Sequence, residues 1–218
     1  RERGILPGAL LNYLAILGSS LTEGQEICTP DALARDFSLD RMGRGGAVFD
    51  EAKLLWLNAA YLKKMPIGEL TTLTLPFLAR EGMDVRRLDR PWLAALVEAV
   101  RDNWVTLADA PRYLNMFFDD RHTWDDDARA VLRDDASRQV VRQFRDLLMA
   151  DLPPDEHVFD RSLKALRKQT GIGGKALYLP LRAAVTGAIE GPELGRVLAV
   201  LGWEAVVQRL DRVLRDAF

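Results

Sequence analysis

The sequence is short of the residues on which several common kinds of site depend. It has one cysteine and two histidines among 218 residues. A single cysteine, Cys28, excludes an internal disulfide and a zinc site built from paired cysteines. The histidines, His122 and His157, do not have the spacing of a paired-histidine metal motif. The sequence therefore predicts no metal ligands and no histidine-based catalytic centre.

Long apolar runs and strand-like alternation are also missing. No stretch approaches the ~18 consecutive apolar residues that span a bilayer, so we expect no membrane segment. Alternation between apolar and polar residues is nowhere sustained, which argues against a sheet-based core. Apolar residues instead recur at three- and four-residue steps, as in Leu10, Leu14 and Leu17. The sequence therefore predicts an all-α, elongated array of helices.

Neither sign of charge is in strong excess. Lys and Arg number 30 and Asp and Glu number 32, which gives a net charge of −2. This balance argues weakly against a nonspecific nucleic-acid binder. Residues 157–218, however, hold ten Lys or Arg against six Asp or Glu. A basic end on an acidic protein points to an anionic partner, and the alternative is a set of solvated helix faces.

The chain begins without methionine and without the charged-then-apolar pattern of a signal peptide. We therefore expect a cut inside a longer protein and a cytoplasmic location.

Start and stop signals predict the individual helices. Pro7 opens the first helix, and Asp50 is the N-cap of a long one. Breaks are predicted near 65 and 122. Further helices are predicted over 30–34, 67–78, 91–100, 106–118 and 159–171. Residues 128–148 are predicted to form a single long helix. The last predicted helix begins at 203, with Arg209, Arg212 and Arg215 facing outward.

Two features approach motifs for catalysis or phosphate binding without meeting their requirements. Cys28 has no histidine near it in the sequence, so a buried apolar role is favoured. Residues 170–175, TGIGGK, lack the first glycine of a phosphate-binding loop and are followed by Ala176 instead of Ser or Thr. The sequence therefore shows no catalytic residues.

The clearest binding signal lies near the C-terminal end. Arg182 stands among apolar and small residues, with Thr186 one turn later. Gly191 and Pro192 then fix a turn before Leu194, where a new helix begins. An arginine held by apolar neighbours beside a helix N-terminus is suited to hydrogen-bond a base edge or a phosphate. Unpaired RNA bases are recognised in this way.

Three motifs in order carry a resemblance to a known family. The segment PLRAAVTG from Pro180, with GPEL from Gly191, resembles the C-terminal anticodon-binding region of bacterial glutamyl-tRNA synthetase. GILP from Gly4, with ALLNYL after it, resembles the segment that follows the KMSKS-type loop of that family. AVFD from Ala47, with KLLWLN after it, resembles the helix that ends the stem-contact part.

The resemblance implies a class I aminoacyl-tRNA synthetase, which ligates glutamate to tRNA(Glu) with ATP. Its catalytic domain, with ATP and Mg²⁺, would lie before this chain, which has neither the HIGH-type nor the KMSKS-type motif. The chain would comprise the end of the stem-contact region (1–65) and two helical anticodon-binding subdomains (66–122 and 123–218). We expect a monomer that binds tRNA(Glu), with tRNA(Gln) as the alternative.

Residues of the family's anticodon site carry over by position. Arg182 matches an arginine that contacts an anticodon base, and Leu194, with Gly191 and Pro192 in its turn, matches a second contact. Thr186 lies near enough to join them. If the chain binds tRNA, Lys175 and the basic helix faces would contact phosphates and position the anticodon arm.

One position departs from the family. Asn103 occupies the place of an arginine that checks the third anticodon base, and asparagine lacks the charge and fork of arginine. The parent enzyme is then either non-discriminating or a duplicated form directed at tRNA(Gln), unless Arg101 or another side chain takes over the role.

A second hypothesis is a non-catalytic protein-interaction module, such as a paralogue that kept the helices and lost RNA binding. The near-neutral net charge favours it slightly.

Overall fold

The computed structural model of the chain describes residues 2–18, 26–36, 38, 48–119 and 121–216. Every regular element within these residues is helical, which confirms the predicted fold class. The chain forms two compact units, Arg1–Pro111 and Arg112–Phe218. The division into three parts at 65 and 122 stays a prediction. Ala47, which opens the second motif, lies outside the described residues.

Among its described residues, the first unit contains five helices before its last turns. Their bounds agree with the predicted ones to within two residues. Packing joins α1 to α2 and α3, and α4 to α5. The helices are α1 (Pro7–Gly18), α2 (Pro30–Asp36), α3 (Glu51–Lys64), α4 (Ile67–Arg80) and α5 (Arg90–Val100).

Local signals account for where these helices begin. The Asp50 side chain accepts from the backbone N–H of Lys53 at 3.1 Å, which confirms the predicted N-cap of α3.

A buried side-chain amide, that of Asn58, joins α3 to neighbouring segments of the chain. The Asn58 side chain accepts from Leu6 N at 2.7 Å and donates to Val105 O at 2.6 Å. Buried amides of this kind fix one register, because a shift leaves them unsatisfied.

The helix predicted over 106–118 is broken into three short pieces. Two are 3-10 turns, Leu107–Asp109 and Asn115–Phe117, and the α-helix between them, α6, covers only Ala110–Leu114. Thr106 and Asp109 form a capping box at the first turn, and Pro111 has no N–H to donate.

Five more helices follow in the part of the second unit that the structure describes. Among them α10 packs against α7, α8 and α11, so it lies at the centre of the unit. The helices are α7 (Asp126–Arg133), α8 (Asp135–Ala150), α9 (Val158–Thr170), α10 (Lys175–Thr186) and α11 (Leu194–Arg215).

The single long helix predicted over 128–148 is wrong. It is divided at Asp134, whose backbone is extended and whose carboxylate accepts from Ser137 N at 2.8 Å. An aspartate that caps a new helix competes with continuation of the old one. A further break lies in α11, where Gly202 has φ +80°. The last helix therefore starts anew at Trp203, as predicted.

The outward orientation predicted for Arg209 is also wrong. Its side chain is 3% exposed, and its guanidinium donates to Val185 O at 2.8 Å and to the Asp119 carboxylate at 2.9 Å. Burial lowers the pKa of Arg209, and the bond to Asp119 opposes that shift. A helical period cannot reveal this orientation, because the partner carbonyl lies on another helix.

Arg209 is one of several groups that satisfy the C-terminal carbonyls of α10. These carbonyls have no partner within their own helix. Three donors from outside the helix fill the need: Trp124 Nε1 to Ala184 O, Arg209 to Val185 O, and Gly187 N to Ala183 O.

Gly187 ends α10 at a place that admits only glycine. Its φ is +79°, and a Cβ there would lie 2.0 Å from Thr123 O. Its own carbonyl accepts from Asp125 N at 2.9 Å. The backbone of residues 123–125 therefore lies directly against the end of α10.

We expect Gly187→Ala to lower the free energy of unfolding by at least about 2 kcal/mol, because a left-handed φ and a backbone clash coincide. Gly171→Ala is the matched control, since Gly171 has φ +68° with nothing within 4 Å of its Cβ position. That change should cost only about 1 kcal/mol. Urea unfolding measures both, and equal losses would contradict the clash.

His122 lies buried beside Gly187, at the C-terminal end of α10. Its Nδ1 is 3.1 Å from Arg212 Nη2, and the Arg212 guanidinium lies 4.0 Å from the centre of the Trp124 ring. Burial above all, and then the charges of Arg209 and Arg212, lower the pKa of His122 from 6.5 to about 3. The imidazole is therefore neutral at neutral pH.

This pKa sets a pH dependence of stability. Between pH 6.5 and about 3 the unfolded chain binds the proton and the folded chain does not. Stability is therefore complete above pH 6.5 and falls below it, by up to about 1.4 kcal/mol per pH unit. We expect His122→Gln to flatten this slope between pH 6.5 and 5, in urea unfolding at each pH. The exposed His157 gives the control, His157→Gln, which should keep the slope.

Candidate nucleic-acid interface

The structure brings Arg182 together with the turn predicted to accompany it. Arg182 Nη1 donates to Pro192 O at 2.5 Å. Gly191 has φ +142°, and a Cβ on it would lie 3.8 Å from the same Nη1 atom. Two sequence motifs that are separated along the chain thus form one local structure.

The Arg182 guanidinium keeps most of its donors. Of its five N–H groups, one is used by Pro192, and no other side-chain hydrogen bond is found among the described residues. The side chain is half-buried; burial lowers its pKa, and the nearby charge of Glu193 opposes the shift. Glu193 itself caps α11 by accepting from Gly195 N and Arg196 N at 2.9 Å. The result is a fixed cation with free donors.

The other residues predicted to contact RNA here are more deeply buried than Arg182. Pro192 is buried and Leu194 is 3% exposed. Thr186 is buried too, and its hydroxyl donates to Arg182 O at 2.8 Å. This geometry favours a positioning role for Leu194 and Thr186, while Arg182 faces outward. Their predicted contact with RNA stays a prediction.

Lys175 lies on the same helix as Arg182. It is the first residue of α10 and is exposed. Seven residues separate it from Arg182, so the two share one face about 10 Å apart along the helix axis. Lys175 forms no ion pair within the part of the chain that the structure describes.

Further exposed cations lie on α9, the helix that precedes α10 in the chain. Lys164, Arg167 and Lys168 stand at spacings of three and four, and all are exposed. Arg167 reaches the loop that leads into α10, since its Nε lies 3.5 Å from where a Cβ of Gly173 would be. None of the three has an ion pair among the described residues. We call Lys164, Arg167, Lys168 and Lys175 the basic face; the exposed Asp160 borders it.

The two candidates in the first unit differ sharply. Arg101 is 8% exposed, and its Nη2 donates to Leu62 O and Met65 O, both at 2.6 Å. Those carbonyls belong to the C-terminal end of α3, so the geometry favours a capping role for Arg101. Asn103 is half-buried in the 3-10 turn that follows α5.

The described residues hold no group of three or more His, Cys, Asp or Glu that could bind a metal ion. Within the same residues, no helix is long and apolar enough to cross a membrane.

Comparison with known proteins identifies the family. The profile of the anticodon binding domain matches residues 69–214. Glutamate–tRNA ligase 2 of Syntrophus aciditrophicus is 45% identical over 214 residues, which are 98% of this chain and 44% of that protein. Glutamate–tRNA ligase of Carboxydothermus hydrogenoformans is 38% identical over 205 residues, 93% of this chain and 43% of that protein. The chain thus spans under half the length of these relatives.

Solved structures agree on the fold. The glutamate tRNA ligase of Elizabethkingia meningosepticum, in complex with its amino acid, superposes with a TM-score of 0.80 at 20% identity. The match covers 97% of this chain and 41% of that one. The chain therefore belongs to the anticodon-binding-domain family, and its resemblance to the glutamyl-tRNA synthetases is confirmed.

Proposed function

We propose that this chain binds tRNA at the anticodon, as the tRNA-binding part of a glutamyl-tRNA synthetase. The observation that carries the proposal is Arg182, a half-buried guanidinium fixed by Pro192 O with most of its donors free. Guanidinium groups pair with the edges of unpaired bases, and rigid placement makes such pairing selective. Membership of the anticodon-binding-domain family supports this use of the site.

The basic face supplies the part of binding that does not depend on sequence. Its four side chains are exposed and lack ion pairs among the described residues, so a phosphate does not have to displace a carboxylate partner. Phosphate contacts position an RNA, while base contacts specify it. Lys175 lies on the helix of Arg182, so the two functions lie next to each other on α10.

The partner within this class is tRNA(Glu), with tRNA(Gln) as the alternative. Asn103 is the residue on which the choice depends in the resemblance, because an uncharged amide replaces the family's arginine there. The capping bonds of Arg101 to Leu62 O and Met65 O leave it poorly placed to substitute. A parent enzyme that accepts both tRNAs is consistent with this arrangement.

The proposal places the ATP-dependent ligation of glutamate, with its Mg²⁺, on residues outside this chain. We further propose that the chain is a monomer of the cytoplasm.

A titration tests the proposal directly. The chain is titrated with tRNA(Glu), tRNA(Gln) and a tRNA(Glu) of altered anticodon, by filter binding at several salt concentrations. We expect binding that falls with salt, with a log–log slope of about −3 for four phosphate contacts, and that weakens when the anticodon is changed. The ratio of the affinities for tRNA(Glu) and tRNA(Gln) reports the effect of Asn103. Absence of binding to all three would contradict the proposal and favour the protein-interaction module.

Replacement of the central residue gives a sharper test. Arg182→Gln should weaken binding of tRNA(Glu) by about 1–3 kcal/mol, roughly 5- to 160-fold, and should abolish discrimination against the altered anticodon. Arg133→Gln removes an exposed cation from α7 of the same unit and is the control. If both variants weaken binding equally and leave anticodon dependence intact, Arg182 does not read a base.

A further inference from the structure

Tyr178 is the one exposed aromatic side chain among the described residues of the second unit. It is 41% exposed, whereas Trp124, Phe144 and Phe159 of that unit are buried. Its hydroxyl has no hydrogen bond and its ring no ring partner within the described residues. The packing of the unit therefore does not account for the position of this ring.

The neighbours of Tyr178 on α10 are the two cations of the candidate interface. Tyr178 follows Lys175 by three residues and precedes Arg182 by four. Those spacings place the three side chains on one face, with about one helical turn between neighbours. A single exposed aromatic residue needs no explanation, but one set between two available cations has the composition of a single-stranded RNA site.

The opposite face of α10 is packed into the unit, and this packing holds Lys175, Tyr178 and Arg182 on a rigid helix. Leu177, Leu181 and Ala184 are fully buried there. The C-terminal end of the helix is held by Trp124 and Arg209. The ring of Tyr178 is thus carried on a fixed helix, and tyrosine has only two rotatable side-chain bonds to order when it binds a partner.

We propose that Tyr178 is a stacking platform for one unpaired base of the bound RNA. On one side of Tyr178, Arg182 hydrogen-bonds the edge of a base. On the other side, Lys175 contacts a phosphate. This inference rests on the proposed function, since it assumes that RNA occupies this face of α10. Every base has a π-face, so stacking adds affinity without selecting a sequence. Tyr178 and Arg182 therefore contribute differently: the first to affinity alone, the second also to anticodon choice.

The probe is the anticodon stem-loop of tRNA(Glu) with 2-aminopurine at single loop positions, followed by fluorescence. With the unchanged chain, one position should be quenched on binding because the reporter base stacks on the ring. Tyr178→Phe should retain both the quenching and the affinity to within twofold. Tyr178→Leu should lose the quenching and bind roughly 5- to 100-fold more weakly, by the same factor for the natural and the altered anticodon.

Two controls separate this role from a structural one. Tyr178→Leu should unfold in urea close to the midpoint of the unchanged chain, because leucine keeps an apolar side chain at this 41% exposed position. Met149→Ala, which removes another exposed apolar side chain of the unit, should leave stem-loop binding unchanged.

The outcomes distinguish this inference from the proposed function. If Tyr178→Leu binds within twofold of the unchanged chain while Arg182→Gln loses anticodon dependence, stacking is overturned and the proposed function stands. If Tyr178→Phe loses as much as Tyr178→Leu, the hydroxyl acts instead of the ring and stacking is again overturned. If the unchanged chain does not bind the stem-loop, both are overturned.

Discussion

The buried guanidinium of Arg209 is the contact on which the C-terminal unit most depends. It joins the end of α10 to α11 and to the segment before α7, through Val185 O and Asp119. A helix ends with carbonyls that must find donors, and burying them unpaired is costly. Because Arg209 and Trp124 supply those donors from other elements, α10 cannot rotate or slide without breaking them. The position of every side chain on the outer face of α10 follows from that constraint.

The candidate interface lies on the opposite face of the same helix, so its side chains are carried on a rigid support. Arg182 projects from the fixed helix and is steadied by Pro192 O, so a flexible side chain becomes a directed donor. Glycine is needed where the chain leaves α10, since Gly187 meets Thr123 O, and at Gly191, where φ is +142°. The turn that holds Arg182 and the glycine that ends α10 therefore both depend on where this helix lies.

Sequence reasoning predicted the elements well and their long-range partners poorly. Caps such as Asp50 and stops such as Gly171 are local signals, and both appear where the sequence placed them. The division at Asp134 was missed because the apolar period continues across it, although the aspartate beside Ser137 was a possible capping signal. The orientation of Arg209 was misjudged for a different reason: it donates to a backbone carbonyl of another helix, and no pattern along the chain reveals such a partner. The bond of Arg101 to Leu62 O is of the same kind. The pairing of Arg182 with the 191–194 turn was expected from the motifs, whereas Tyr178 stood out only once exposure was known.

The charge count of the C-terminal end takes on a different meaning in the folded chain. Several of its cations already have partners: Arg209 binds backbone and Asp119, Arg161 is paired with Asp151 and Asp155, and Arg212 lies on Trp124. Among the remaining cations, Lys164, Arg167 and Lys168 lie on α9, and Lys175 and Arg182 share one face of α10. A net charge of −2 for the whole chain is therefore compatible with an RNA-binding surface, because phosphates respond to the local potential of unpaired cations and not to the total.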